Sequence, residues 1–527
     1  MKAHSRYYLV FLVLVLFLVI GFFLRSYMFL SGDFYFLPDQ GRDMLLVRDI
    51  IETKHIPLIG GHAGFGGLFH GPLWLFLIVP FYLISSGSPF YSLVPLYLGI
   101  SFSMIIVGFI VTWRLYGLRA GILAAFLFTF SNEFISTLAF TSNAQVMPLL
   151  FLTYFYFIVR YLRGWKWGLV LAALSTGIGL HFEAAFAVFL VPLTVITILV
   201  WKRIPSIRIA LGSLGALCLA VSNFIIFDLR HQFLLSQSLM KLLSGTVQGP
   251  EYAKKYEILS YRLVDRLDWL WRSFRIILWD YDSRLLQGIL IGAFLLAGFY
   301  IYSHWRLAGT ISRQAKEIGY FLIFLVILMA MYVIYKGELH AHYVQSLSAL
   351  TIILFAWCLA ILTLRRAGML LVASFLFVEL YGGLHYIQAT YIPMKPYLTD
   401  SNGSYKNLVR LADWIYMDAP KEDFGYFVYD PPVVTYGMDY IMSWRGKTTY
   451  SRVAKNEKLP ITYLIMNQPP TGDLNAHTFW IDTVLHTPAS TILAEKEFVG
   501  KTIVHKIRPA QNEAPVDPNY FINLTFR

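Results

Sequence analysis

The chain has 527 residues, of which 57% are hydrophobic and only 14% charged, and its formal net charge is +12. This composition excludes an ordinary soluble protein, in which about 25% of residues are charged, and is typical of a chain that lies mostly in lipid. The positive charge does not indicate nucleic-acid binding, because the Lys and Arg residues fall mainly in short loops between apolar runs, as in multi-pass membrane proteins.

Eleven apolar runs predict transmembrane helices. The first, Tyr7 to Leu24, is uncharged and long enough to cross a hydrocarbon layer of roughly 30 Å. Because no small-residue cleavage site follows it, we interpret it as an uncleaved signal-anchor. The other runs are approximately 90 to 113, 117 to 131, 144 to 160, 167 to 180, 184 to 201, 207 to 226, 285 to 303, 318 to 335, 344 to 363 and 367 to 384.

The apolar segment Pro72 to Ser85 decides the sidedness of everything after it. If it does not span, the basic clusters at 2–6, 114–119, 160–166, 202–208, 306–316 and 365–366 all share one side, as the positive-inside rule requires. At roughly 14 residues it is also too short to cross comfortably. We therefore interpret it as an interfacial or re-entrant helix in the first outer loop.

This topology places the loop 26–89, the turns near Glu133 and Glu183, the turn 336–343 and the C-terminal region on the outer face of the plasma membrane. The composition becomes polar at Asp400 to Ser404, which indicates a domain boundary. One helix and three short strands are predicted beyond it: Tyr405 to Met417, Phe424 to Tyr429, Ile461 to Met466 and Thr502 to Ile507. The predicted fold is an all-α polytopic membrane domain over 1–385, followed by a small extracytoplasmic α/β domain over 386–527.

The hexapeptide Pro38-Asp39-Gln40-Gly41-Arg42-Asp43 follows the first run and opens a predicted amphipathic helix, Gln40 to Thr53, on the membrane surface. In one interpretation Asp39 is only the N-cap of this helix, and Asp43 is favourable in its first turn. Against this, Asp39 and Asp43 share a helix face at four-residue spacing, where like charges repel. That spacing favours a functional role for the carboxylates.

The hexapeptide and the segment His70 to Trp74 resemble one family. Asp39-Gln40-Gly41-Arg42 resembles the Asp-Glu-x-Arg motif of GT-C glycosyltransferases of the protein-mannosyltransferase and aminoarabinose-transferase kind. His70-Gly71-Pro72-Leu73-Trp74 resembles that family's Lys-Pro-Pro-Leu stretch in the first outer loop. The order of features along the chain is similar as well, with many spans and an outer C-terminal domain.

The resemblance implies a GT-C-like fold and a sugar donor linked to polyprenyl phosphate. It implies that Asp39 is the catalytic base and that Arg42 is the family's arginine. Gln40, however, replaces the second acid of the motif, and His70 replaces the lysine linked to the donor phosphate. Asp43 falls where the family often has Tyr, and we rank it below Asp39. Metal dependence therefore stays open, with a divalent metal as the alternative to protein cations.

Further candidates lie at other predicted outer turns. Glu133 is either the second acid that the family commonly has in this loop or a solvated loop acid. His340 and His342 either ligate a metal or contact the donor phosphate, as the family's basic-Tyr position implies. The predicted donor-binding residues are His70, Lys336, His340, His342 and Tyr343.

Other polar groups in outer segments have two interpretations each. His181 and Glu183 end a span and are either interfacial or catalytic. Arg230-His231 and the stretch Arg262 to Arg275 either line an acceptor groove or lie on lipid headgroups.

These features predict an inverting glycosyltransferase that moves one sugar from a polyprenyl phosphate to a hydroxyl or amine of a lipid, glycan or protein acceptor. The reaction needs a carboxylate base for the acceptor and cations for the leaving phosphate. The alternative is a transporter or lipid flippase with an outer lid domain, which predicts charged residues along a mid-membrane path. A sensor would need larger inner loops than this chain has.

Overall fold

The structure is a computed structural model that describes all residues except 1, 30, 64–66, 137–141, 244–253, 280–281, 309–312, 365, 387, 389–397, 431–434, 470–471, 474, 512 and 521–527. Its helices up to residue 386 are, in chain order, α1 (Lys2–Ser26), α2 (Pro38–Thr53), α3 (Leu73–Ile84), α4 (Pro89–Tyr116), α5 (Leu118–Phe130), α6 (Asn132–Ser136), α7 (Met147–Leu162), α8 (Trp167–Gly179), α9 (Ala184–Ala187), α10 (Leu190–Val200), α11 (Ile207–Ala220), α12 (Ser222–Arg230), α13 (Leu234–Leu243), α14 (Leu259–Arg275), α15 (Arg284–Ala308), α16 (Arg313–Ile334), α17 (Ala341–Leu362) and α18 (Arg366–Tyr386).

Among the described residues, five helices are long and apolar enough to cross a membrane, and the bent pair α11 and α12 makes a sixth if it is one span. Six shorter apolar helices accompany them: Leu73–Ile84, Leu118–Phe130, Trp167–Gly179, Ala184–Val200, Arg284–Tyr300 and Gly319–Ile334. Each of the predicted apolar runs falls on one of these helices. The protein is therefore membrane-embedded, whereas a count of eleven spans and the side on which each loop lies stay predictions.

The chain divides into two compact units. The first comprises Met1–Ser26, Pro57–Trp74 and Tyr97–Ile387, and the second comprises Tyr27–Ile56, Leu75–Leu96 and Gln388–Arg527. The second unit thus contains the predicted C-terminal domain together with two earlier stretches that the sequence analysis assigned to the membrane domain. One of these stretches carries the Asp39 motif.

In the first unit, α17 forms the centre of the helix packing. Its residues 343–359 are all buried, as expected of a helix that is apolar on every side and surrounded by other helices. A buried arginine, Arg25, ties α1 to its neighbours: its guanidinium donates to the Ser101 hydroxyl at 2.5 Å and to the Phe128 carbonyl at 2.7 Å. Donating to protein oxygens is what makes a buried guanidinium tolerable in a lipid environment.

The second unit contains α2 and a small mixed sheet with helices. Its sheet has four strands in the order β1-β2-β4-β3, with β1 parallel to β2 and the other pairs antiparallel. The strands are β1 (Gly425–Tyr429), β2 (Thr462–Met466), β3 (Thr491–Phe498) and β4 (Thr502–Arg508), and the helices are α19 (Tyr405–Asp418), α20 (Tyr436–Arg445) and α21 (Asn475–Trp480). The predicted α/β character, the helix at 405 and three of the strands are confirmed, while β3, α20 and α21 were missed.

The segment before α2 is fixed to the start of α19. The backbone N–H of Phe36 donates to the Gly403 carbonyl at 2.8 Å, and that of Tyr405 donates to the Phe34 carbonyl at 2.9 Å. The Asp33 carboxylate adds a hydrogen bond from the Ser404 hydroxyl at 2.7 Å. These bonds set the point from which α2 begins.

Helix α2 begins two residues earlier than predicted, at Pro38 rather than Gln40. Leu37 is its N-cap and Pro38 its first residue, where proline is favoured because its fixed φ suits the first turn. The Gln40 side chain accepts a hydrogen bond from the Leu37 N–H at 2.8 Å. The interpretation of Asp39 as the N-cap is therefore wrong: Asp39 lies in the first turn, and Gln40 serves the helix start.

Gly41 is the point of closest approach between α2 and α20. A Cβ at this position would lie 2.6 Å from the α-carbon of Gly437 and against other backbone atoms of Tyr436 and Gly437. Since backbone cannot yield as a flexible side chain can, only glycine fits here.

We expect the substitution Gly41→Ala to lower the free energy of unfolding of the second unit by about 1–3 kcal/mol, because overpacking forces the two helices apart. Hydrogen exchange of the α2 and α20 amides, together with thermal unfolding, would measure this loss. Gly99→Ala is the matched control, because Gly99 also lies in a helix and faces open space. Equal stability of the two variants would contradict the close approach.

Candidate functional site

Arg42 lies between two carboxylates in the first turns of α2. Its guanidinium donates to Asp39 Oδ1 at 2.8 Å and to Asp43 Oδ1 at 2.9 Å and 3.1 Å. Burial lowers the pKa of Arg42, but the negative charges of Asp43 and Asp39 raise it. Their effect outweighs that of burial, so the pKa of Arg42 lies above its ordinary value. The repulsion expected between Asp39 and Asp43 is thereby neutralised by the arginine between them.

The two carboxylates differ in access. The Asp43 side chain is only 7% exposed and pairs with buried Arg42, whereas the Asp39 side chain is 68% exposed. A base that takes a proton from a bound molecule must be reachable, and a buried ion pair is not. The structure therefore places Asp39, Arg42 and Asp43 together and leaves Asp39 as the accessible carboxylate of the three.

In the first unit, two buried arginines of α14 hold the turn that leads into α17. Arg262 donates to the Val333 carbonyl at 2.8 Å, and Arg266 donates to the Gly337 carbonyl at 2.5 Å. Arginines suit the end of a helix because they satisfy its last carbonyls and its negative dipole. Both earlier interpretations of these two residues, groove lining and headgroup contact, are wrong, because their side chains are buried against the end of α16.

The predicted donor-binding residues cluster at the N-terminus of α17. His340 is the N-cap, and the rings of His340 and His342 are parallel with centroids 5.5 Å apart. His342 Nε2 lies 3.9 Å from Glu183 Oε2, and the carbonyl of buried Tyr343 accepts a hydrogen bond from the Tyr332 hydroxyl at 2.8 Å. Exposed Lys336 precedes this turn. A helix N-terminus with adjacent basic side chains is a suitable place for a phosphate.

His70 is connected to the same turn through Asn143. The Asn143 amide lies 3.1 Å from His70 Nδ1 and donates to the Phe182 carbonyl at 2.5 Å. Phe182 precedes Glu183, the partner of His342. A chain of contacts thus joins His70 to His342 through Asn143 and the segment Phe182–Glu183.

His181 has a structural position beside this chain. Its Nε2 donates to the Ala220 carbonyl at 2.8 Å, and its own carbonyl accepts from the Gly71 N–H at 3.1 Å. Burial lowers the pKa of His181, which favours the neutral ring over the charged ring that a phosphate would attract.

Glu133 is buried rather than solvated. Its residue is 7% exposed, its backbone N–H donates to the Ile276 carbonyl at 3.2 Å, and its side chain is hydrogen-bonded to Gln345 on α17. Burial raises the pKa of Glu133 to about 7, with Gln345 acting against the shift. The interpretation as a solvated loop acid is wrong, and a carboxyl that titrates near neutral pH suits proton transfer.

Several residues of this region were missed by sequence analysis. Asn143 and Gln345 are neutral amides in apolar runs, and nothing in their spacing distinguishes them. Glu379 had a signal, because it is an acid within a predicted span. Its buried carboxylate accepts a hydrogen bond from the backbone N–H of Trp279, whose carbonyl in turn accepts from Asn132 at 3.0 Å. Glu379 therefore supports the residues next to Glu133.

No protein-family model matches this chain, and no curated protein matches it in sequence. Solved structures match in fold. ArnT from Cupriavidus metallidurans bound to undecaprenyl phosphate is 13% identical with a TM-score of 0.56, and the match covers 94% of this chain and 97% of that chain. The apo state of the same protein is 13% identical with a TM-score of 0.55, covering 96% and 98%.

The chain has a GT-C fold. The fold class that the sequence resemblance implied is confirmed over nearly the whole length, including the small C-terminal sheet. The archaeal oligosaccharyltransferase AglB from Archaeoglobus fulgidus also matches, at 13% identity and a TM-score of 0.49, covering 88% of this chain and 70% of that chain. One fold hosts many activities, so the shared fold alone does not define the activity of this chain.

The Asp39 region of this GT-C fold does not fit a divalent metal. Such an ion needs several oxygen ligands at one point, but Arg42 occupies the position between Asp39 and Asp43, and Gln40 bonds to the helix start. Within the described part of the chain, no group of three His, Cys, Asp or Glu side chains has metal-site geometry.

The buried carboxyl of Glu183 makes stability depend on pH. Burial raises its pKa from 4.5 to about 8. Between these values the folded protein binds a proton that the unfolded chain has lost, so the free energy of unfolding falls as pH rises. We expect Glu183→Gln to match the wild type in thermal stability near pH 4.5 and to exceed it at pH 8.

The measurement is thermal unfolding of the purified protein at both pH values. Glu422→Gln serves as the control, because Glu422 is exposed and should leave the pH dependence of the wild type unchanged. If Glu183→Gln kept the wild-type decline between these pH values, the carboxyl of Glu183 would not be its source.

Proposed function

We propose that the protein is an inverting glycosyltransferase that moves one sugar from a polyprenyl-phosphate donor to a hydroxyl or amine of an acceptor at the outer face of the plasma membrane. The observation that carries the proposal is the accessible carboxylate of Asp39, held by buried Arg42 at the start of α2. The full-length likeness to a protein whose solved structure contains undecaprenyl phosphate supports a lipid-linked donor.

The reaction assigns a role to each group. The oxygen or nitrogen of the acceptor attacks the anomeric carbon while Asp39 takes its proton. The bond between the anomeric carbon and the phosphate oxygen breaks, and the bonding electron pair leaves with that oxygen. The departing phosphate gains charge, which His340, His342 and the N-terminus of α17 stabilise. Arg42 orients Asp39, and Glu133 is a second-rank candidate for proton transfer.

The state of Asp43 supports inversion at the anomeric carbon. A retaining transfer through a covalent intermediate uses a carboxylate nucleophile in addition to the base. Asp43, the carboxylate nearest to Asp39 in sequence, is buried. Its Oδ1 accepts two hydrogen bonds from the Arg42 guanidinium. A single displacement needs only Asp39 and inverts the configuration.

The test is transfer by the purified full-length protein in lipid nanodiscs from a panel of polyprenyl-phosphate-linked pentoses and hexoses to lipid, glycan and peptide acceptors. We expect a glycosylated acceptor of inverted configuration and free polyprenyl phosphate, in equal yield with and without a chelator. Transfer with retained configuration would overturn the mechanism, and release of polyprenyl phosphate from none of the donors would overturn the function.

A further inference from the structure

A cavity of about 260 Å³ opens within the second unit, at the carboxyl ends of β1 and β2. Because β1 and β2 are parallel neighbours, their carboxyl ends meet at one edge of the sheet, where α/β folds commonly bind ligands. The volume is close to the lower limit of small-molecule pockets, which is about 300 Å³. It suits a ligand of the size of one sugar ring.

The polar wall of this cavity is a connected row of three side chains. Asp430 follows β1, Asn467 follows β2, and Thr502 begins β4. The Thr502 hydroxyl donates to Asn467 Oδ1 at 2.7 Å, and Asn467 Nδ2 donates to Asp430 Oδ1 at 3.0 Å. The row fixes the orientation of the amide and presents carboxylate, amide and hydroxyl groups, which together donate to and accept from ligand hydroxyls.

The rest of the lining is mostly apolar and aromatic, with Asn402, Asn407 and Arg410 as further polar residues. Val428 of β1 and Ile465 of β2 line the cavity with aliphatic side chains, and Phe36 and Phe498 line it with aromatic rings. A sugar ring has the matching character, because its C–H faces pack on apolar and aromatic surfaces while its hydroxyls point to polar groups.

The cavity adjoins the proposed base along the chain. Leu37 and Pro38 line it, and Asp39 is the next residue. We propose that this cavity binds one sugar ring of a glycan or glycolipid acceptor and presents the acceptor to Asp39. The inference rests on the proposed function, which assigns deprotonation of the acceptor to Asp39.

Two variants test the cavity in different ways. Asn467→Ala removes the central hydrogen-bonding group of the polar row. Leu408→Phe, on α19, places a larger side chain in the cavity and leaves the three residues of the polar row unchanged. In the transfer assay with a glycan acceptor, we expect each to raise the acceptor KM at least tenfold, with kcat and the donor KM within twofold of wild type. Asn475→Ala is the matched control, because Asn475 is exposed at the start of α21.

Direct binding separates this inference from the function. Saturation-transfer NMR would be recorded on the full-length protein in nanodiscs with a panel of methyl hexosides, hexosaminides and pentosides. We expect binding of at least one glycoside to the wild type and to Asp39→Asn, and its loss in both cavity variants, with thermal unfolding confirming that each variant is folded.

Three outcomes would overturn the inference: no glycoside binds the wild type, the folded cavity variants bind as the wild type does, or the variants raise the donor KM instead of the acceptor KM. Failure of the proposed function is distinguishable, because it would show as no transfer from any donor while glycoside binding and its loss in the variants persist. That pattern would support the cavity as a sugar site.

Discussion

Replacing Asp39 by Asn should lower the rate of transfer by about 10²- to 10⁴-fold, the usual contribution of a general base. Asn keeps the size of the side chain and still accepts the hydrogen bond from Arg42, but it cannot take a proton. The fold should persist, because the Asp39 side chain is 68% exposed and its ion pair is worth at most about 1 kcal/mol. Steady-state transfer kinetics and thermal unfolding would measure the two effects.

Asp49→Asn is the matched control for this result. Asp49 lies on the same helix, half-buried and ten residues further on, and the same chemical change there should leave the rate within twofold of wild type. Binding of polyprenyl phosphate should be equal in both variants, since the donor phosphate is assigned to other residues. A rate for Asp39→Asn above a tenth of the wild-type rate would remove Asp39 from the role of base.

Replacing Arg42 by Gln should destabilise the protein by about 3–5 kcal/mol, the usual cost of leaving a buried charge without its partner. The Asp43 side chain is only 7% exposed, and the Arg42 guanidinium supplies its opposite charge at 2.9 Å. Transfer should fall as well, because Asp39 loses the hydrogen bond that orients it. Chemical denaturation followed by tryptophan fluorescence would report the stability.

A double variant separates the structural and chemical roles of Arg42. Arg42→Met combined with Asp43→Leu replaces the buried pair by apolar groups of similar size, which in other proteins is neutral or stabilising. We expect stability to return close to wild type while transfer remains low. A double variant that transferred at the wild-type rate would show that Arg42 acts only through its pairing with Asp43.

The sequence predicted most of the fold because hydrophobic runs and turn residues are local signals. The apolar runs, the helix at Tyr405 and three strands were all readable in this way. Strand β3 was not, because its residues 491–497 are exposed and carry Glu495, Lys496 and Glu497, so they lack the alternation of a half-buried strand. Helix α20, which packs against α2, is only ten residues long and was not recognised.

The candidate site was predicted in its residues but not in its environment. The motif indicated Asp39 and Arg42, yet only the structure shows that Asp43 is buried and Asp39 accessible. In the same way, the sequence placed Glu133 in an outer turn but did not show that it is buried. Its burial becomes visible only in the structure, where Gln345 of α17 is hydrogen-bonded to it. Burial depends on contacts between distant segments, and those are not encoded in spacing.

The close approach at Gly41 has a consequence for exchanging segments between proteins of this fold. Helix α2 belongs to the same compact unit as residues 388–527, and backbone meets backbone where Gly41 faces Gly437. A chimaera in which only the C-terminal region is replaced would place the α20 of another protein against Gly41. It would also combine a new cavity with the original Asp39 segment. A transplant that keeps this unit intact must therefore carry residues 27–56 and 75–96 together with the C-terminal region.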